Sequence, residues 1–343
     1  MVNIGEIMQR YVWFEWKPDP DLAALIDGTA LALGPAAATP DDPLRALGQA
    51  HGAIATALPY NAALMDRGPN LLVISRTGIG VDTVDIPEAT RRGIAVCNTP
   101  DGPTISTAEQ TLALMLGIAK RLRRIDNDFR RNAVPRDYYR THNGLELHDT
   151  TLGLVGIGRI GGRVAGYARA LGMRVLAYDP FSTDEAAARL GVTRVGALDE
   201  LLSRSDVVSL HLPLTAETRK MMNAERFAQM KPGAIFINAA RGGLVDEAAL
   251  LAALESGRLS GAGLDVTDPE PPRMDNPLLH RDDVIITPHI ASATSVGKRR
   301  IQSKAISQVV DVLNGRRPEH LVNPEVWPAV AARYAALFGQ VPS

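Results

Sequence analysis

Residues 156–161 read Gly156-Ile157-Gly158-Arg159-Ile160-Gly161, a G-x-G-x-x-G pattern. Alone it constrains little. Here it closes an apolar run at 151–156 and opens a stretch of helical composition. Asp179 then ends the next apolar run, 21 residues on from Gly158. That context is the fingerprint of a strand–turn–helix unit that binds a dinucleotide. Gly156 allows the tight turn, Gly158 lets backbone N–H groups approach a pyrophosphate, and Gly161 lets helix and strand pack closely. The helix N-terminus adds a favourable field for the phosphates. Asp179 bears on which dinucleotide: a carboxylate accepts from the 2′-hydroxyl of NAD and repels the 2′-phosphate of NADP. Pro180 and Phe181 follow it, with no arginine to hold that phosphate. NAD is the expected cofactor.

The rest of the chain supplies sheets around that unit. From 151 onward, apolar runs lie at 151–156, 174–178, 206–210, 234–238, 261–266 and 284–287. Helix-like stretches separate them, for instance 247–255, closed by Gly257 as a C-terminal cap. An earlier series lies at 29–33, 52–57, 71–75 and 94–97, with helical composition at 41–50 and 61–66. Strands alternating with helices imply parallel α/β sheets. Between the two series, residues 105–131 read as one long helix with a basic run at 120–124; that run is either a solvated helix end favourable to the helix dipole or, given the length, part of an interdomain or dimer helix. The Ala-rich stretch at 35–40 stands apart as low complexity.

Composition narrows the function classes. At 343 residues the chain holds a little over two domains of about 150 residues. Lys plus Arg number 37 and Asp plus Glu 38, a net charge of −1, without the basic excess of a general nucleic-acid or anionic-membrane binder. Cys97 is the single cysteine, so an intramolecular disulfide and a multi-cysteine metal site are both excluded, and no metal is expected. Glu6, Arg10, Glu15 and Lys17 interrupt anything like a signal-peptide core. Apolar runs reach about eight residues, against roughly 18 needed to cross a bilayer. A soluble cytoplasmic protein is expected.

Open α/β sheets bind ligands beyond the carboxyl ends of their strands. Three ionisable residues stand at such ends. Arg241 follows Asn238-Ala239-Ala240, Glu270 follows Asp265-Val266-Thr267-Asp268-Pro269, and His289 follows Thr287-Pro288. Singly, each has a dull explanation as a loop histidine or a surface charge. On consecutive strand ends they can converge over one nicotinamide. That convergence suits interconversion of a 2-hydroxy acid and a 2-oxo acid. Taking a hydride from C2 also requires taking the hydroxyl proton, and an imidazole is a suitable base near pH 7. A carboxylate paired with it fixes its tautomer and favours its protonated form. A guanidinium can hold the substrate carboxylate and polarise the carbonyl.

With these residues in place, the chain resembles the D-isomer-specific 2-hydroxy acid dehydrogenases. The resemblance spans about 71–323. It rests on Arg76-Thr77-Gly78-Ile79-Gly80-Val81-Asp82, Asn98-Thr99-Pro100, Ser106-Thr107-Ala108-Glu109, the glycine loop, His211-Leu212-Pro213-Leu214-Thr215, and the segments 238–246 and 265–271. It implies that His289 is the acid/base, that Glu270 tunes it and that Arg241 orients the substrate. It also implies that the loop of Gly78, Ile79 and Gly80 binds the substrate carboxylate, with Arg76 nearby. Asp265 would accept from the nicotinamide carboxamide, Arg159 and Ile160 would meet the pyrophosphate, and His211, Leu212 and Pro213 would line the adenosine side. Thr107, Thr218, Ala239 and Ala240 join the cofactor contacts on the same basis. In fold, the resemblance implies two parallel-sheet α/β domains. A flavodoxin-like substrate domain is formed by 1–98 with 292–343, and a Rossmann NAD domain, 99–291, is inserted in it.

Departures from the family pattern sharpen the expectation. Gln110 stands where many relatives carry His, and Tyr138-Tyr139 lies where relatives often carry Trp. Glu270 is not Gln, which argues against formate oxidation. Only 23 residues follow His320, too few for the regulatory domain of some phosphoglycerate dehydrogenases. The expected activity is NAD-dependent reduction of a small 2-oxo acid such as glyoxylate or hydroxypyruvate, by a homodimer. The alternatives are a non-catalytic NAD-sensing scaffold of the corepressor type and a phosphite dehydrogenase. Side-chain selection falls to residues around 58–61 and 138–139.

Overall fold

The two apolar series become two separate sheets, and every strand pair among the described residues is parallel. The computed structural model describes residues 9–34, 42, 44–134 and 136–339, so the Ala-rich stretch at 35–40 lies outside them. Two compact units result: Met1–Pro103 with Ser295–Ser343, and Thr104–Thr294. Their bounds fall a few residues beyond the expected cuts at 99 and 292.

The first unit holds β1 (Tyr11–Phe14), β2 (Leu31–Leu33), β3 (Gly52–Ala55), β4 (Val73–Arg76) and β5 (Ala95–Cys97), in the order β2-β1-β3-β4-β5. β3 is buried at every position, as a parallel strand covered on both faces should be. One cover is the returning helix Ser295–Leu313. A Cβ added to Gly52 would lie 2.5 Å from Val309 Cγ1. Asn323 fastens the returning segment to the sheet edge, accepting from the Val96 N–H (2.8 Å) and donating to the Ile94 carbonyl (3.1 Å).

The second unit holds β6 (Thr151–Val155), β7 (Arg174–Tyr178), β8 (Thr193–Arg194), β9 (Val207–Leu210), β10 (Ala234–Asn238), β11 (Leu259–Leu264) and β12 (Val284–Ile286). Their order is β12-β11-β10-β9-β6-β7-β8. The chain winds outward from β6 through β7 to β8, then restarts at β9 on the other side of β6. The reversal between β6 and β9 is the crevice where doubly wound sheets bind ligands. Apolar clusters lie on both faces, one built on Leu210, Phe236 and Leu250, the other on Leu154, Ala165 and Ile237.

Three expectations need correction. The helix expected over 105–131 is two, Thr104–Ala119 and Leu122–Arg130, joined through Arg121 in the left-handed region at φ 53°. The first buries ten of its residues and the second none. At the break, the Leu145 N–H donates to the Ala119 carbonyl (2.7 Å), taking the acceptor that a continuing helix would give to Arg123. The helix expected within 41–50 is only a 3-10 turn, Arg45–Gln49. The interior strand β1 was not among the expected strands, nor was the two-residue edge strand β8.

Candidate active site

The glycine loop sits at the reversal between β6 and β9. Gly156 has φ 93°, and a Cβ there would lie 2.5 Å from the His211 carbonyl oxygen at the end of β9. Gly161 packs its α-carbon onto the Gly156 carbonyl with no room for a side chain. Gly158 is different, because a Cβ there meets nothing within 4 Å. It is the N-cap of the helix Arg159–Ala170 and gives no side-chain cap to the first N–H groups. A helix N-terminus with open space above it and no capping side chain suits a pyrophosphate. The residues present therefore fit a dinucleotide.

Asp179, directly after β7, braces the loop by accepting from the Ile157 N–H (3.0 Å) and the Phe181 N–H (2.9 Å). Each carboxylate oxygen keeps acceptor capacity for a ribose hydroxyl. His211 Nε2 pairs with the Ser209 hydroxyl (2.9 Å), and burial lowers its pKa to about 4, so the imidazole is neutral at pH 7. Leu212 and Pro213 continue that loop, and the Thr218 hydroxyl donates to the Pro213 carbonyl (2.9 Å). Thr107 is buried on the helix Thr104–Ala119. Ala239 and Ala240 follow β10, where the Ala240 N–H donates to the Asn238 side chain (3.0 Å).

At the same end of this sheet, Arg241, Glu270 and His289 come together. His289 Nδ1 lies 2.8 Å from Glu270 Oε2, while Glu270 Oε1 accepts from the Thr267 N–H (3.3 Å). Nδ1 therefore carries the proton shared with Glu270, and Nε2 is the nitrogen left to exchange one with a substrate. The hydrogen bond that His289 donates to Glu270 raises the His289 pKa, against burial and the Arg241 charge. Burial pushes Glu270 up, but its bond to His289 and the charges of His289 and Arg241 bring it below the usual carboxylate range. The Arg241 Nη1 also donates to the Ala240 carbonyl (2.6 Å).

His289 has φ 52°, a conformation side chains other than glycine seldom adopt. Asp265, wholly buried at the end of β11, explains how it is held. Its Oδ1 accepts from the Thr287 hydroxyl (2.6 Å) and the Ile290 N–H (3.0 Å), and its Oδ2 from the Ala291 N–H (2.9 Å). The His289 N–H donates to the Asp265 carbonyl (2.7 Å). The turn at 287–291 is thus wrapped around one carboxylate, a task the sequence did not assign to Asp265. Burial raises the Asp265 pKa, and these hydrogen bonds oppose the rise. Gln110 extends the network, donating to the Thr287 hydroxyl (3.1 Å). Thr287 and Gln110 were missed as site residues; the one available signal was Gln110 standing where relatives carry His.

In the first unit, Arg76 ends β4. Its Nε donates to the Gly80 carbonyl (3.1 Å) and its Nη1 to the Thr56 carbonyl, so the guanidinium ties the loop at 76–80 to the end of β3. Asn98 donates to the Ile79 carbonyl (2.8 Å), and the Thr99 N–H to that of Gly78 (2.9 Å), where φ is 156°.

Against known proteins, residues 112–291 match the model of the D-isomer specific 2-hydroxyacid dehydrogenase NAD-binding domain. The D-3-phosphoglycerate dehydrogenase of Archaeoglobus fulgidus is 43% identical over 270 residues, 78% of this chain and 50% of that protein. The glyoxylate reductase of Korarchaeum cryptofilum is 39% identical over 269 residues, 78% of this chain and 81% of that one. Among solved structures, Aquifex aeolicus D-lactate dehydrogenase, complexed with NAD and lactic acid, superposes with a TM-score of 0.79 at 33% identity, covering 93% of this chain and 98% of that one. The chain spans about half the length of the phosphoglycerate dehydrogenases it matches.

Proposed function

Because the chain belongs to the D-isomer specific 2-hydroxyacid dehydrogenases, NAD-dependent enzymes acting on CH–OH donors, we propose that it reduces small 2-oxo acids to D-2-hydroxy acids through His289, Glu270 and Arg241. The observation that carries this reading is the 2.8 Å pair of His289 Nδ1 and Glu270 Oε2. Reduced cofactor, when bound beside the glycine loop, supplies the hydride that substrate C2 receives. His289 Nε2 gives its proton to the carbonyl oxygen as that oxygen becomes a hydroxyl. Glu270 stabilises the imidazolium before the transfer, and Arg241 orients the substrate by its carboxylate and polarises the carbonyl. In the first unit, the family resemblance gives the binding of a substrate carboxylate to the backbone N–H groups of Gly78, Ile79 and Gly80, a loop stiffened by Arg76.

A screen of NADH oxidation against 2-oxo acids of graded size and charge tests the reading. Turnover of glyoxylate or hydroxypyruvate is expected. No turnover across the panel, with NADH still bound, would instead favour a sensing scaffold, for which the paired His289 and Glu270 have no use. The helix Leu122–Arg130 buries none of its residues and exposes Leu122 and Phe129, which supports pairing with a second copy; its mass in solution reports this.

The Glu270–His289 pair sets a pH dependence with a definite sign. Reduction needs protonated His289, so reductive kcat/KM falls as pH rises through the raised histidine pKa. In Glu270→Gln that pKa drops and the fall moves to lower pH. The variant should approach wild-type activity in acid and lose most at alkaline pH. An unshifted pH–rate profile would show that the pair is not coupled.

A further inference from the structure

The five-stranded sheet has a reversal of its own. The chain leaves β1 for β2 on one side and runs from β3 to β4 and β5 on the other, so the carboxyl ends of β1 and β3 flank the crevice where such sheets bind ligands. Glu15 directly follows β1. Its Oε2 accepts from the N–H groups of Ala57 (2.7 Å) and Leu58 (3.3 Å), which follow β3. Successive backbone N–H groups at such a place form a cradle for an anion. Here the anion is the chain's own carboxylate. Its second oxygen, Oε1, is shielded from solvent.

This turn adjoins the loop that the proposed function gives to the substrate carboxylate. Arg76 donates to the carbonyls of both Thr56 and Gly80, and the hydroxyls of Thr56 and Thr77 lie 2.9 Å apart. The two amides of this turn that could receive an anion beside that loop are thus already taken by a carboxylate of the chain itself. We propose that Glu15 is a specificity-determining residue that excludes 2-oxo acids bearing a phosphate or a second carboxylate and leaves those with uncharged side chains. Similarity does not make this choice, since phosphoglycerate dehydrogenases and glyoxylate reductases both match the chain. The inference rests on the reductase reading above and adds the substrate class to it.

The test compares hydroxypyruvate with 3-phosphohydroxypyruvate, which differ only in the phosphate, in wild type and Glu15→Gln. Glutamine keeps an oxygen for the two N–H groups and removes the charge. Wild type should favour hydroxypyruvate in kcat/KM, and the variant should narrow that ratio by at least about tenfold. A wild type that prefers the phosphorylated acid, or a ratio unmoved by the substitution, overturns the role of Glu15 while the reductase reading stands. Failure to reduce any 2-oxo acid overturns both. Should Glu15→Gln not fold, inhibition of the wild type decides. Glycolate should compete with hydroxypyruvate at a concentration at least about tenfold below that needed for 2-phosphoglycolate; equal inhibition counts against the proposal.

Discussion

Replacing His289 by glutamine is expected to lower kcat for 2-oxo acid reduction by roughly 100- to 10,000-fold, the usual worth of a positioned general acid. Glutamine is near the size of the imidazole and can still face Glu270, but it has no proton to give at neutral pH. The dinucleotide fingerprint lies elsewhere on the same sheet, at the ends of β6 and β7, so NADH affinity should hold. Fluorescence titration with NADH beside steady-state kinetics separates the two. Retained turnover would remove His289 from the chemistry. Loss of both turnover and binding would mean that the turn at 287–291 had collapsed around Asp265.

Gly242→Ala is the second large effect, and it acts without touching an ionisable group. Gly242 follows Arg241 and lies against the backbone of Thr267, three residues before Glu270. An alanine Cβ there would overlap the Thr267 carbonyl, and backbone cannot swing aside as a side chain can. Either the Arg241 turn or the Glu270 loop must move. A shift near 1 Å in such a set can cost about 100-fold in kcat, and overpacking a filled site costs about 1–3 kcal/mol of stability. Kinetics and thermal unfolding should both register it. Gly166→Ala is the control: a Cβ there meets nothing within 4 Å and the position is exposed inside the helix Arg159–Ala170, so activity should stay as in wild type and melting should rise slightly, by the roughly 0.5–1 kcal/mol that alanine gains over glycine in a helix. Equal behaviour of the two variants would mean that the close approach at Gly242 is not what holds Arg241 in place.

Much of this site was legible because its chemistry sits at strand ends, where short motifs carry both the turn and the reacting group. Gly156, Gly158, Gly161 and Asp179 could be singled out by their spacing, since the turn, the helix start and the next strand end fix their distances. Asp265 was singled out only through the family resemblance, and its bonds to Thr287, Ile290 and Ala291 were not legible, because they join positions 22 or more residues apart only after folding. β1 was invisible for a related reason. Tyr11–Phe14 is four residues long with three of them buried, so it shows no alternation of apolar and polar positions. The long helix failed at Arg121 because its continuation depended on whether Leu145 would arrive to claim the Ala119 carbonyl. Composition gave no sign of that.

The split unit also orders the molecule's assembly as it is made. The first sheet has all five strands by Cys97, yet its cover over β3 arrives only with Ser295–Leu313 and its edge clasp only with Asn323. The contiguous unit, Thr104–Thr294, leaves the ribosome whole in the interval. Domains fold as units during synthesis, so the middle of the chain can finish before its beginning. Until the last stretch emerges, an uncovered apolar sheet is exposed on the nascent chain, and that interval is when chaperone protection and translation speed matter most to its yield.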